Sequence, residues 1–193
     1  MPAGYTTLRL ACGHVHVLCT QSKTDECGEA CAGMVIATKK SRFVDLATLR
    51  TVSQSHGGLY YRPGAKDAGA PVGDSRYAAM ATLLRKGAAP DVGTGLGNLV
   101  EVLQEYGVTS VEHRGGAALK VKAAAKAGQM AIAQVEWGGG GSHFIVVHGQ
   151  AGDKYCILDP GSNTLVQTEA VGSTTYTAPY GLTGLYIACA VVS

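Results

Sequence analysis

Cys27 opens the run Cys-Gly-Glu-Ala-Cys inside QSKTDECGEACAGMV, where the chain turns helical, and a thiol at that point can serve as a nucleophile. The first N–H groups of a helix lack partners within it and the positive end of its dipole lies there, and both favour thiolate over thiol. Gly28 is expected to leave space beside the sulfur. Cys31, one turn deeper on the apolar stripe, is expected to be core. A thiolate needs a base, and His143 begins HFIVVHG directly after the glycines at 138–141. Those glycines would let a substrate backbone pass close to the imidazole. On a strand His143 shares a face with Ile145 and Val147 while His148 lies on the other, so the two histidines cannot serve one site without a bulge.

The acid follows from a hairpin. GQAGDK reads as a turn with Gly152-Asp153 at its sharpest point, joining HFIVVHG to KYCILDP. A loop of three or four residues sets His143 opposite Asp159 or Pro160, which brings Asp159 beside His143 to within one residue of register. An aspartate there would hold one imidazole tautomer and stabilise the imidazolium. Asp153 is the competing acid, at the far end of the hairpin. Attack on an amide creates an oxyanion that needs donors aimed at it. The Cys27 backbone N–H can be one and the side-chain amide of Gln21, six residues upstream, the other.

These residues need elements to hold them. Residues 6–18 alternate as a strand. From 26, Cys27, Ala30, Cys31, Met34, Val35 and Thr38 recur on one helical face, with Asp25 able to cap the start. A second helix is expected over 43–54, with Phe43, Leu46 and Leu49 on its stripe and His56-Gly57-Gly58 ending it. Further helices are expected at 75–86, 96–106 and 117–127, each followed by a glycine (Gly87, Gly107, Gly128) suited to a left-handed cap. After Gly128 the texture changes to strands: QMAIAQVEW, HFIVVHG, KYCILD, NTLVQT and GLYIACAVV. Strands grouped after helices predict an α+β fold with an antiparallel sheet. The expected organisation is one domain over 1–193, with a helical subdomain over 20–128 and a β-rich one over 129–193 joined by the N-terminal strand. The Gly- and Pro-rich stretch at 59–94 is expected to be an insertion.

Composition narrows the function. The chain has 193 residues, 46% hydrophobic and 16% charged, with a formal net charge of +2. That is a single-domain size, and the charge balance excludes a strongly electrostatic nucleic-acid binder. No apolar run approaches the roughly 20 residues needed to cross a bilayer, so no membrane insertion is expected. The first twenty residues lack the apolar core of a secretory signal, which predicts a cytoplasmic protein or one exported without a Sec signal peptide. Six cysteines without a repeating spacing are expected to be reduced thiols.

Gln21, five residues, then Cys27-Gly28-Glu29-Ala30-Cys31, with His143 and Asp159 following in that order, resembles the papain-like cysteine peptidases. More narrowly it resembles the bacteriocin-processing peptidases that remove double-glycine leader peptides. The likeness continues through DLATLR, NLVEVLQEYGV, the helix at 117–127, GSHFIVVHG and LDPGSNT, and covers roughly residues 21–165. It implies a papain-like α+β fold, with a helical half bearing Cys27 packed on an antiparallel sheet half bearing His143 and Asp159. It implies that Cys27 is the nucleophile, His143 the general base and acid, Asp159 its orienter and Gln21 the oxyanion donor. A protein or peptide substrate is expected, and no cofactor or metal. In that family the peptidase often precedes a membrane transporter with an ATPase; this sequence has neither, and no GxxxxGK[ST] run. The expected function is therefore a cysteine peptidase, as a stand-alone leader peptidase or as a secreted bacterial effector or toxin. The same triad also serves glutamine deamidases and transglutaminase-like toxins, and a non-catalytic papain-like binding module is a third reading.

Other signals carry less. Cys12, His14, His16 and Cys19 could be metal ligands, but a strand does not converge four of them. Gly93–Gly97 lacks both GxGxxG and a preceding strand, and the glycines at 138–141 have no lysine or helix behind them to bind phosphate. Lys39, Lys40, Lys120 and Lys122 read as solvated helix surface. Trp137 is either a wall of the cleft or core.

Overall fold

The computed structural model describes residues 3–9, 13, 15–22, 26–56, 60–61, 92–138, 141–162 and 173–193. The expected cap Asp25, the glycines 57–58, the helix at 75–86 with Gly87, the strand NTLVQT and most of the 59–94 insertion lie outside the described residues, as do Cys12 and His14. The described helices are α1 (Cys27–Lys40), α2 (Leu46–Ser55), α3 (Leu96–Glu105) and α4 (Ala117–Lys126). The strands are β1 (Tyr5–Arg9), β2 (Val15–Cys19), β3 (Tyr60–Tyr61), β4 (Val92–Gly93), β5 (Ser110–Arg114), β6 (Met130–Trp137), β7 (Ser142–Ala151), β8 (Lys154–Leu158), β9 (Thr175–Thr177) and β10 (Thr183–Val192). An antiparallel sheet runs in the order β5-β10-β6-β7-β8, with β9 added beside β10. The mixture of helices with an antiparallel sheet is the α+β class expected.

Alternation along β7 divides the core. Phe144 and Val146 join α1 and β2 on one face of the sheet, whereas Ile145 and Val147 join α4 on the other. β6 lies between two sheet neighbours and under both layers, which is why Met130–Ala133 are buried without a polar alternate.

Helix α1 departs from the expected one-faced pattern. Every residue from Cys27 to Ala37 is buried, because β2, β7, α2 and α3 surround it. Small residues make that possible. A side chain on Gly28 would press on Leu99 and the Thr94 Cβ at 3.2–3.4 Å, so the space there belongs to α3 and not to an approaching substrate. Gly33 is tighter: an added Cβ would collide with the Tyr5 hydroxyl, which cannot yield easily because it donates to the Val44 carbonyl at 2.6 Å. Gly33→Ala is therefore expected to cost about 1–3 kcal/mol from overpacking, readable as a lower midpoint in urea unfolding.

Three boundaries differ from the sequence reading. The strand expected over 6–18 is two strands, β1 and β2, paired antiparallel with Arg9 opposite Val15. The chain reverses between them, and Gly13 there has φ 80. Helix α2 starts three residues late, since Asp45 caps it by accepting from the Thr48 N–H at 2.9 Å. Phe43 thus sits before the helix and meets the Tyr5 ring edge-on at 5.3 Å. β5, within the stretch read as helical, forms an edge of the large sheet.

The β7–β8 hairpin also differs. Ala151 pairs with Lys154 across a two-residue turn, Gly152-Asp153, in place of the longer loop. Gly152 has φ 61, as the first central residue of a type II′ turn requires. His148 and Gly149 then bulge opposite Cys156, Gly149 with φ 77. The ladder resumes at Val147–Ile157 and Val146–Leu158, a register that would set His143 opposite Gly161. Asp159 is accordingly a diagonal neighbour of His143, just past the end of β8.

Candidate active site

The turn after β8 aims the aspartate. Pro160 and Gly161 occupy the centre of a reversal closed by the Ser162 N–H donating to the Asp159 carbonyl at 3.2 Å. The Gly161 N–H meanwhile donates to Asp159 Oδ1 at 2.7 Å, which bends the carboxylate back over its own turn. His143 Nε2 lies 2.8 Å from the same oxygen, and both side chains are buried. With Nε2 committed to Asp159, Nδ1 is the nitrogen left to face Cys27, which lies close enough to act on the charge of His143. The structure thus brings Cys27, His143 and Asp159 together in the order the sequence reading gave.

Electrostatics favour a charged pair. Burial by itself lowers the His143 pKa, but the Asp159 charge and hydrogen bond, with the contact to Cys27, push it up to about 10. Burial by itself would raise Asp159; the facing imidazolium and the donors from Tyr176 and Gly161 hold it below the ordinary carboxylate range. Cys31 shows the opposite environment. It is fully buried, and desolvation pushes its thiol well up, so it is a poor nucleophile at any ordinary pH.

Gln21 is buried, and its backbone N–H donates to the Pro160 carbonyl at 2.9 Å, tying its loop to the Asp159 turn. Glu26 holds the next step. Its carboxylate accepts from Ser22 N–H at 3.1 Å and Ser22 Oγ at 2.6 Å, and meets Arg50 at 3.4 Å. Glu26 is also the residue before α1 and makes no side-chain cap there, so the first-turn N–H groups of the helix are not consumed by a capping side chain. Three residues on, buried Glu29 accepts from Thr94 Oγ1, which lies 3.3 Å from Ser53 Oγ, and this trio links α1 to α2 and to the start of α3.

Two residues were underread. Trp137 belongs to the core and also meets the pair: it is buried, and its indole stacks on His143 with centroids 5.7 Å apart and planes at 22°. Tyr176 was missed altogether. Its hydroxyl donates to Asp159 Oδ2 at 2.6 Å from a fully buried ring. Only the alternation of Thr175, Tyr176 and Thr177 could have suggested a strand there. His148 belongs elsewhere, edge-on to His16 at 4.7 Å. Among the described residues no cluster of His, Cys, Asp and Glu is arranged to hold a metal, and Cys19, Cys27, Cys31, Cys156 and Cys189 are free thiols.

Comparison with known proteins places the fold and the family. No curated protein matches the sequence. The fold is similar to that of a double-glycine-motif protease from an AMS/PCAT transporter, solved with its leader peptide, at 19% identity over 91% of this chain and 89% of that one, with a TM-score of 0.51. It is similar to the peptidase domain of Streptococcus ComA, a bifunctional ABC transporter of a quorum-sensing pathway, at 16% identity over 91% and 96% with a TM-score of 0.53. It is similar also to a C39-like peptidase from Bacillus anthracis, at 13% identity over 97% and 98% with a TM-score of 0.55. At such identities the likeness is one of fold. The Peptidase C39 family model matches residues 75–177, over half of the chain, a span that contains His143 and Asp159 but begins after Cys27. The chain belongs to the peptidase C39 family and is a papain-like cysteine peptidase.

Proposed function

We propose that the protein cleaves a peptide bond of a leader-bearing peptide after a pair of glycines, with Cys27 as nucleophile, His143 as base and acid, Asp159 as orienter and Gln21 as oxyanion donor. The observation that carries the reading is the imidazole of His143, bonded at 2.8 Å to Asp159 through Nε2 and within electrostatic reach of Cys27. Membership of the family supports peptide hydrolysis, and the double-glycine protease among the fold relatives supports the glycine pair as the substrate class.

In the mechanism His143 holds the proton of Cys27, and the sulfur attacks the carbonyl carbon. The oxyanion takes hydrogen bonds from the Cys27 backbone N–H and the Gln21 amide. His143 gives its proton to the leaving amine, which departs with the C-terminal product. Water, deprotonated by the now neutral imidazole, attacks the thioester, and the acid leaves as Cys27 and His143 are restored. Throughout, Asp159 stays ionised.

The pH dependence has a definite sign. The pathway needs protonated His143, so kcat/KM should persist through neutral pH and fall as pH rises toward about 10. The limb belongs to the coupled Cys27–His143–Asp159 set. An alkaline limb at the ordinary histidine value, about 6.5, would contradict the buried pair. Stability follows the same rule. The His143 contribution is complete below the unfolded pKa and is lost as pH rises through about 10, whereas the Asp159 contribution is lost as acid protonates it.

Bacterial and eukaryotic lysates incubated with the wild type or with Cys27→Ala, then compared by mass spectrometry, test the reading. New peptide termini after Gly-Gly with the wild type alone are expected. Termini without the glycine preference would remove the leader-peptide reading and keep the peptidase. Glutamine-to-glutamate conversions without new termini would make the triad that of a deamidase.

A further inference from the structure

The fold backs the His143–Asp159 pair with a row of residues that the proposed triad does not name. On β9, β10 and β6, Tyr176 pairs with Gly184 and Gly184 with Trp137. A side chain on Gly184 would come within 2.8 Å of the Trp137 ring and 2.7 Å of the Glu136 carbonyl. Its absence lets the two aromatic rings approach across the central strand, with centroids 6.4 Å apart. Trp137 then stacks on His143, and Tyr176 reaches Asp159. β6 and β9, brought together across β10, therefore touch one member of the pair each.

The two oxygens of Asp159 have separate duties. Oδ1 meets His143 Nε2 at 2.8 Å and the Gly161 N–H at 2.7 Å. Oδ2 accepts from Tyr176 at 2.6 Å. A carboxylate can rotate about its last side-chain bond, and a donor fixed on one oxygen decides where the other points. Building on the triad proposed above, we infer that Tyr176 is a positioning residue, whose hydroxyl holds Asp159 Oδ2 and thereby keeps Oδ1 turned to His143. The phenol can only donate in this role. Burial and the adjacent carboxylate push its pKa far above the ordinary tyrosine value, so it takes no part in proton transfer. Position and polarity act in opposite directions on His143. Losing the donor lets the carboxylate swing away, which weakens the imidazolium. Losing it also leaves more charge on Asp159, which would strengthen the imidazolium if nothing moved.

Tyr176→Phe keeps the ring and removes the hydroxyl, and it separates these cases. The expected result is a kcat lowered about tenfold with KM within about twofold of wild type. The alkaline limb of kcat/KM should move down by about half to one pH unit. A kcat and pH profile matching the wild type, with only the melting temperature lowered, would make Tyr176 a packing residue and overturn the inference. An upward move of the alkaline limb would also overturn it, since the hydroxyl would then be tuning charge without holding geometry. The ultraviolet thiolate absorbance of wild type, Cys27→Ser and Tyr176→Phe is read alongside. A wild-type thiolate band that Cys27→Ser removes is expected. Its absence would overturn the triad and this inference together; its presence with an unshifted Tyr176→Phe profile would overturn this inference alone.

Discussion

Cys27→Ala is expected to lower turnover by a factor on the order of 10⁶, to background, while Cys31→Ala keeps kcat within about twofold of wild type. The two sulfurs are one helical turn apart, so a comparison between them controls for helix, burial and redox exposure. What separates them is surroundings. Cys27 stands at the uncapped first turn of α1, close enough to His143 to act on the charge of its imidazole. Cys31 is sealed among apolar neighbours with its thiol pushed well up. Cys31→Ala should instead lose stability by about 1 kcal/mol or somewhat more, since it deletes a fully buried atom from a packed helix. Steady-state kinetics and urea unfolding on the same two variants check both halves.

His143→Gln is expected to cost a factor of about 10⁴ to 10⁶ in kcat/KM, and combining it with Cys27→Ala should add almost nothing. The residues act as one unit: without the imidazole the thiol has no base and the leaving amine no acid. Asp159→Asn should fall short of that, at about 10² to 10⁴, because it spares the imidazole and disturbs its tautomer and orientation. His148→Ala provides the contrast on the same strand. Its ring packs on His16, so it should lower stability and leave the pH profile in place. Loss of turnover in His148→Ala with activity kept in His143→Gln would mean that the strand faces are assigned the wrong way round.

Much of the site was legible because chemistry and chain order coincide there. A cysteine at a helix start, a histidine after a glycine run and an aspartate in Asp-Pro-Gly each carry a local reason for their position. The expected hairpin register was nevertheless wrong by one to two residues. The pairing survived because Asp159 reaches His143 from a turn held by Gly161, and a turn-borne carboxylate does not need the directly opposed position. Gly28 was misread for a related reason. A glycine beside a nucleophile looks like an opening, and only the tertiary packing shows Leu99 filling it.

The parts that stayed hidden depend on distant segments. Periodicity assigned α1 one apolar face, but Gly, Ala and Cys are neutral enough to be buried anywhere, and the surrounding elements bury them all round. β5 has one aliphatic residue, Val111, and that one is half exposed at a sheet edge, so no alternation could mark it. Tyr176 acts only because β9 lies beside β10, which lies beside β6. Nothing within a few residues of Tyr176 indicates that a carboxylate 17 positions earlier will accept its hydroxyl.

A peptide ending in Gly-Gly and carrying a chloromethyl ketone, reacted with the wild type, Cys31→Ala and His143→Gln, tests the central claim most directly. Cys27 and Cys31 share one tryptic peptide, Thr24–Lys39, so fragmentation spectra must locate the adduct. One adduct, on Cys27, formed equally well in Cys31→Ala and lost in His143→Gln, is the predicted result. Labelling of Cys31, or labelling of Cys27 that proceeds unchanged without His143, would contradict the account.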